Sequence, residues 1–260
     1  MKNIVLIGSG NLAEALAEAI CRCEGIELRQ IFGRNAARVA ELSARTGIPG
    51  CTDPAHLAAA DLYLLAVSDA AIPQLAASLP FGEGAAVVHT AGGIGLEALP
   101  ERIARRGVLY PLQTFTQGRQ VDFSRIPLFV EGSDDSFAGE LEQLARRLSR
   151  TVARADSARR AQLHLAGVFA CNFVNHLYAV GAEVLRGAGL PFETLAPLIE
   201  ETAAKAIASG DPARMQTGPA VRGDIPTQQR HRTLLADRPE LERIYEILSE
   251  HIWQTSRKTS

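Results

Sequence analysis

The 260-residue chain has 27 Lys and Arg against 29 Asp and Glu, a formal net charge of −2, with 47% hydrophobic and 22% charged residues. This is the composition of an ordinary globular protein, long enough for one large domain or two ordinary ones. It offers no electrostatic basis for nucleic acid or an anionic membrane, and no run of eighteen apolar residues marks a membrane span.

Cys21, Cys23, Cys51 and Cys171 form no C-x-x-C pair, so no metal site is expected. Reduced thiols and a first strand beginning at the N-terminus, with no signal peptide, predict a cytoplasmic protein. The 27 basic residues are 24 Arg and three Lys. Lys205 is the one internal candidate for lysine chemistry.

Met1 to Ile7 is an apolar run of strand length that leads into Gly8-Ser9-Gly10-Asn11-Leu12-Ala13, and a helical pattern follows to Cys21. A G-x-G-x-x-A motif placed between a first strand and a first helix has a physical reading. Gly8 permits the tight turn, Gly10 admits a pyrophosphate close to the backbone, and Ala13 lets the helix pack on the strand. Free N–H groups at the helix start form an anion site. The other reading is a tight turn without a ligand.

Glu27 to Gly33 reads as a second strand. An NAD site wants an acidic residue at its end, but Glu27 stands at its beginning. The end presents Arg34 and Asn35, which suit a 2′-phosphate and predict NADP(H). A solvated Arg in a surface turn is the alternative.

A helix at Ala36 to Arg45 follows, then a short extended piece at Ile48 to Thr52 and a brief helix capped by Asp53-Pro54. Strands are predicted at Asp61 to Val67, Ala85 to His89, Gly107 to Tyr110 and, as the last, Ile126 to Glu131. Helices are predicted at Ala71 to Ala77 and Ser136 to Ser149. This alternation predicts an α/β, doubly wound parallel sheet. Ligands of such sheets sit beyond the carboxyl ends of the strands. Ser68, Asp69, His89, Thr90, Gln113 and Thr114 occupy such ends and are expected to mark one crevice near the nicotinamide.

The pattern changes to helices near residues 150 to 156. The division is therefore a nucleotide-binding domain, residues 1–153, and a helical substrate and dimerisation domain, residues 154–260. Ser157 to Arg186 is apolar nearly all round, so it should be buried in a domain core or a subunit interface. His164 and Asn175, eleven residues apart, fall about 20° apart on a straight α-helix, with Asn172 and His176 beside them. Such a buried polar stripe needs partners, either a substrate or hydrogen bonds within the core. Helices at Phe192 to Ala208, Gln228 to Ala236 and Pro239 to Thr255 complete the chain, with the last five residues frayed. A loop at Gln216 to Asp224 brings Arg222 and Asp224 close together.

Together these pieces resemble bacterial Rossmann-like proteins with a C-terminal domain of unknown function, number 2520 in that series. Gly8 to Ala13, Ala66 to Asp69, His89 to Gly92, Pro111 to Phe115, Ala170 to Phe173 and Thr217 to Asp224 carry the resemblance over essentially the full length. The architecture is also that of pyrroline-5-carboxylate reductases, ketopantoate reductases, β-hydroxyacid dehydrogenases and deazaflavin-dependent NADP oxidoreductases. It implies a Rossmann domain followed by an all-helical domain of the 6-phosphogluconate-dehydrogenase C-terminal type, and a homodimer through the helical domains. β-Hydroxyacid dehydrogenases place a catalytic Lys four residues before an Asn. If Asn172 matches that Asn, Val168 stands where the Lys would be, which leaves imine reduction beside ketone reduction.

The expected function is an NADP(H)-dependent oxidoreductase acting on a small polar carbonyl or imine compound, with no nucleic acid or membrane partner. The cofactor residues are Gly8, Ser9, Gly10, Asn11, Leu12, Arg34, Asn35, Val67, Ser68, Asp69 and Thr90. His89 or His164 is the expected proton donor. Asn172 lies on the second-domain helix, Arg222 could clamp a substrate carboxylate, and Asp224 could orient it. A non-catalytic NADP-binding sensor or partner protein is the alternative.

Overall fold

The computed structural model describes residues 1–259, which form two compact units, residues 1–173 and the described residues from 174 onward. The first unit is built on an eight-stranded sheet. Its strands are β1 (Asn3–Ile7), β2 (Glu27–Phe32), β3 (Gly50–Cys51), β4 (Leu62–Leu65), β5 (Ala86–His89), β6 (Arg106–Pro111), β7 (Leu128–Gly132) and β8 (Val152–Arg154). They are ordered β3-β2-β1-β4-β5-β6-β7-β8.

Neighbours run parallel except β6 and β7, which are antiparallel. The sheet is therefore parallel-dominant, and Ile126 to Glu131 is not its last strand. β8, Val152–Arg154, is three residues long, too short to show a pattern in the sequence. The chain doubles back between β1 and β4, and the crevice of a doubly wound sheet opens at that reversal.

Four helices cover the sheet: α1 (Asn11–Cys21), α2 (Ala36–Thr46), α3 (Ile72–Ser78) and α4 (Asp135–Leu148). One face packs Ile4, Leu6, Leu16, Ile20, Leu64 and Val88, and the other Val5, Ile7, Tyr63, Leu65 and Val87. Alternate residues of one strand thus enter opposite cores, as a period of two requires when both faces are covered. Asn35 and Asp134 cap α2 and α4 by accepting the Arg38 and Phe137 N–H groups.

A 31-residue helical run spans Ser157–Gly187. It consists of α5 (Ser157–Gly167), six residues of π-helix (Val168–Phe173) and α6 (Val174–Gly187). The wider π turns include Asn172, so the angle counted between His164 and Asn175 for a straight α-helix does not apply. Arg160 is its one buried residue.

Leu165, Phe169, Phe173, Leu177 and Val184 are exposed, as are His164, Asn172, Asn175 and His176. Burial of this run within the chain's own core is therefore not what the structure shows. Leu163, Val168, Val180 and Leu185 of the same run are half-buried.

The second unit continues with α7 (Ala196–Ser209), α8 (Ile225–Leu234) and α9 (Pro239–Thr259). Gly210 stops α7 in the left-handed conformation at φ 66°. The expected fraying of the last five residues is not seen through Thr259, and Ser260 lies outside the described residues. Between Val174 and Arg257, only Ala220 and Leu241 are buried.

Gly8 has φ +133°, and a Cβ placed on it would lie 2.0 Å from the Ala66 carbonyl oxygen. Both facts exclude a side chain. Gly8→Ala is expected to cost at least about 2 kcal/mol. A thermal melt unchanged from wild type would contradict this packing.

Candidate active site

The loop from β1 to α1 begins with Gly8, whose N–H donates to the Phe32 carbonyl at 2.7 Å. Gly10 then holds the N-cap of α1 in an extended conformation, and no side chain caps the helix. A Cβ at Gly10 would meet nothing within 4 Å. The first-turn N–H groups are thus open at a helix start, where the backbone dipole favours an anion.

A cleft of about 370 Å³ lies over this helix start. Ser9, Gly10, Asn11, Leu12, Arg34, Asn35, Val67 and Ser68 line it, together with Ile7, Phe32, Gly33, Ala66, Ala71 and Leu75. Three separate strand ends therefore converge on one space. Arg34 is exposed there, and among the described residues no side chain pairs with it. A guanidinium without a partner at such a site is free to take a phosphate.

Arg38, not singled out in the sequence, braces the same loop. Its Nε donates to the Ser9 carbonyl at 3.3 Å, and its Nη2 donates to Glu14 at 2.8 Å. Burial raises the pKa of Glu14, but hydrogen bonds from Arg45 and Arg38 outweigh it and hold the carboxyl below its ordinary value. Asn11 ties the loop to the segment after β6, its Nδ2 donating to the Phe115 carbonyl at 3.1 Å.

The remaining strand-end residues are divided among different surroundings. Thr90 is buried and donates its hydroxyl to the Leu65 carbonyl at 3.2 Å. Gln113 and Thr114 line a second, polar cleft of about 450 Å³ with Arg119 and Asp122. Asp69 is exposed, with Oδ2 3.8 Å from where a Cβ on Gly93 would lie. His164 Cδ2 lies 3.6 Å from that same point. Gln113 and Thr114 thus line a different cleft from Val67 and Ser68, whereas Asp69 and His164 approach each other at Gly93.

His89 is fully buried, at 0% exposure. Its Nδ1 accepts the Ala91 N–H at 3.3 Å, and its Nε2 lies 3.3 Å from the Gly95 carbonyl oxygen. A carbonyl only accepts, so the neutral ring carries its proton on Nε2 and both nitrogens are engaged. Burial, and then the nearby Arg160 charge, push its pKa down to about 4, against the partial opposition of the Gly95 hydrogen bond.

The same loop is held from its other side. Arg160, with a fully buried side chain, pairs with Glu131 and donates to the Ile94 carbonyl at 3.0 Å. Ser157 Oγ accepts the Leu96 N–H at 3.2 Å and donates to Glu131 at 2.9 Å. His89 and Arg160 therefore fasten the Gly92 to Leu96 segment to the sheet and to α5.

His164 is exposed, and its Nδ1 lies 3.3 Å from the hydroxyl of Tyr110, a residue that its sequence context did not single out. Asn172 stands exposed in the π-helical segment. In the second unit, Asp224 caps α8 by accepting the Thr227 N–H at 3.1 Å. Hydrogen bonds from Thr227, with the charges of Arg222 and Arg230, hold its carboxyl below the ordinary value. Arg222 lines a cleft of about 560 Å³ with Arg232, Tyr245 and Trp253. Among the described residues, no group of three or more His, Cys, Asp or Glu side chains could hold a metal ion.

A family model described as NADP oxidoreductase, coenzyme F420-dependent, matches residues 3–93. A domain of unknown function, DUF2520, matches residues 126–252. No curated protein matches the chain. Among solved structures, a Bacteroides fragilis protein provisionally named an NADP oxidoreductase is 41% identical, with a TM-score of 0.91, over 97% of this chain and 98% of that one. An Aspergillus terreus reductive aminase in complex with NADPH and ethyl-5-oxohexanoate is 15% identical, with a TM-score of 0.69, over 99% and 94% of the two chains. A Myxococcus stipitatus imine reductase in complex with NADP⁺ is 14% identical, with a TM-score of 0.63, over 98% and 93%. At such low identities, the last two likenesses show a shared fold.

The neutral His89 gives a pH signature. Above its unfolded pKa of 6.5, neither state binds the proton. Between 6.5 and about 4, the unfolded chain binds it and the folded chain does not, so stability falls as pH is lowered through that window. At about 1.36 kcal/mol per pH unit, the full loss is about 3 kcal/mol. His89→Asn is expected to flatten this slope in urea titrations between pH 7 and 4. An imidazole NMR signal for His89 that titrates near 6.5 would contradict it.

Proposed function

This chain belongs to the NADP oxidoreductase family represented by the Bacteroides fragilis protein, and from that premise we propose its reaction, its site residues and its assembly. The reaction is hydride transfer between NADP(H) and a small polar carbonyl or imine compound. The supporting observation is the cleft itself, where an uncapped helix start, the open face of Gly10 and the unpartnered Arg34 meet. Gly8 to Leu12 would hold the pyrophosphate, with Arg34 and Asn35 at the 2′-phosphate. Val67, Ser68, Asp69 and Thr90 would border the nicotinamide half. NADPH, when bound, supplies the hydride; the chain orients the substrate and manages its proton.

Proton donation is assigned to His164 in preference to His89. The His164 side chain is exposed, whereas both His89 nitrogens are engaged and its ring resists protonation. His89 serves to hold the loop facing His164. Asn172 and Arg222 are proposed to bind the substrate's polar groups, Arg222 taking a carboxylate. Asp224, which caps α8, fixes the loop that carries Arg222. The NADP-binding domain is taken as residues 1–153 and the substrate and dimerisation domain as residues 154–260.

The assembly is a homodimer through the helical domains, in the cytoplasm. Among the described residues the second unit buries two side chains, Ala220 and Leu241, and leaves Leu177, Val184, Leu198 and Leu234 exposed. The Ser157–Gly187 run has the length and composition to cross a bilayer. However, His164, Asn172, Asn175 and His176 would be costly there, which favours a second copy of the chain over lipid.

Arg34→Ala is expected to weaken NADPH binding by about tenfold or more while changing NADH binding little, since a charged hydrogen bond contributes about 1.5–3 kcal/mol. Equal losses for both cofactors would overturn the 2′-phosphate assignment. Wild type should oxidise NADPH with some member of a panel of keto acids and cyclic imines, and His164→Ala should slow it. Tight NADPH binding without oxidation across the panel would instead make the protein a sensor. Light scattering should give the mass of two chains, and Phe169→Asp should shift it toward one. A wild-type monomer with an intact melt would overturn the dimer.

A further inference from the structure

We propose that Tyr110 is the positioning residue of the proton donor: its hydroxyl donates to Nδ1 of His164, which leaves the ring's own proton on Nε2, the atom that serves the substrate. The proposal rests on the reading of His164 as the proton donor.

Tyr110 stands near the carboxyl end of β6, 8% exposed, with its hydroxyl 3.3 Å from His164 Nδ1. The rings meet edge to face, with centroids 6.2 Å apart at 69°. The seat of the phenol is made by Gly92, where a Cβ would lie 2.5 Å from Tyr110 Cζ. The loop carrying Gly92 is held by His89 and Arg160, so the sheet fixes the phenol from both sides.

The direction of the hydrogen bond follows from the count of donors and acceptors. Among the described residues, the Tyr110 hydroxyl has no other partner. If the imidazole donated to it, a phenolic O–H would be left without an acceptor in a largely buried place, which is costly. If the phenol donates, its O–H is satisfied and the Nε2–H of the exposed ring is left for the substrate side. Burial, and then the charge of Asp69, hold the phenol above its ordinary pKa, so it keeps its proton at neutral pH. The His164 edge that carries Cδ2, bonded to Nε2, lies beside Gly93.

In ketone reduction a hydride reaches the carbonyl carbon, and the C=O π pair moves to oxygen. The Nε2–H bond breaks as the substrate O–H bond forms. The Tyr110 proton passes to Nδ1, keeping the ring neutral; the phenolate then takes that proton back from Nδ1 as a solvent proton returns to Nε2, which restores the Nε2–H ring. An iminium substrate already carries its proton and needs no such donation, so ketones depend on the pair more than imines do.

The test is nitrogen NMR of the His164 imidazole, read at neutral pH without any substrate. Wild type should show only the Nε2–H form, with the Nδ1 signal shifted by an accepted hydrogen bond. Tyr110→Phe should remove that shift and let an Nδ1–H fraction appear, while NADPH binding stays within about twofold. An Nδ1–H ring in wild type, or a spectrum unchanged in Tyr110→Phe, would overturn the proposal. The wild-type spectrum alone decides it if the variant does not fold. Where the panel yields a ketone substrate, Tyr110→Phe should lower kcat by about 10²-fold with KM little changed. A failure of the panel itself counts against hydride transfer, whereas the tautomer of His164 is still decided by the spectrum.

Discussion

The first unit depends on how closely its opening turn approaches β4. Gly8 leaves no room for a side chain against the Ala66 carbonyl, and Ala66 donates its N–H to Ile7 at 2.7 Å. This contact lies at the reversal of strand order between β1 and β4, the place where a doubly wound sheet opens a crevice. A wider approach there would part the loop of Ser9 to Leu12 from Val67 and Ser68. The packing requirement and the ligand cleft are thus two consequences of one contact.

A second set of contacts governs the other side of the sheet's edge. Buried charge is tolerated when it is paired and hydrogen-bonded; Arg160 pairs with Glu131 and donates to two carbonyls, while its Nε–H is left without an acceptor. It joins α5, β7 and the loop after β5 in one place. His89, neutral and doubly bonded, holds that loop's next residue from below. Their joint effect is to fix Gly92 and Gly93, on which the seat of Tyr110 and the space beside His164 depend. Two buried residues that would serve poorly as proton donors thereby arrange an exposed one that could serve.

The helical unit poses the opposite problem. Its residues follow helical periods, yet among the described residues only Ala220 and Leu241 are buried, and Leu177, Val184, Leu198, Ile207 and Leu234 are exposed. Burial of apolar surface contributes about 25 cal/mol per Å². A unit that leaves much of its apolar surface open forgoes that share of the contribution within one chain.

The sequence by itself determined the sheet, the first-turn motif and the residues of its cleft. These follow from local causes: strand-length apolar runs, glycines demanded by the turn, and Arg34 at a strand end. It also marked His89 and His164 as the imidazoles of interest, but it could not rank them. Which imidazole can reach a ligand depends on burial and on groups that folding brings up, as with Arg160, whose charge helps to keep the buried His89 ring neutral. Tyr110 and Arg38 acquire their roles from neighbours distant in sequence, His164 and Ser9, whereas β8 is too short to show a pattern. The tertiary structure also decided that the Ser157–Gly187 run lies outside the core, because an all-round apolar helix has the same pattern whether its cover comes from its own chain or from another.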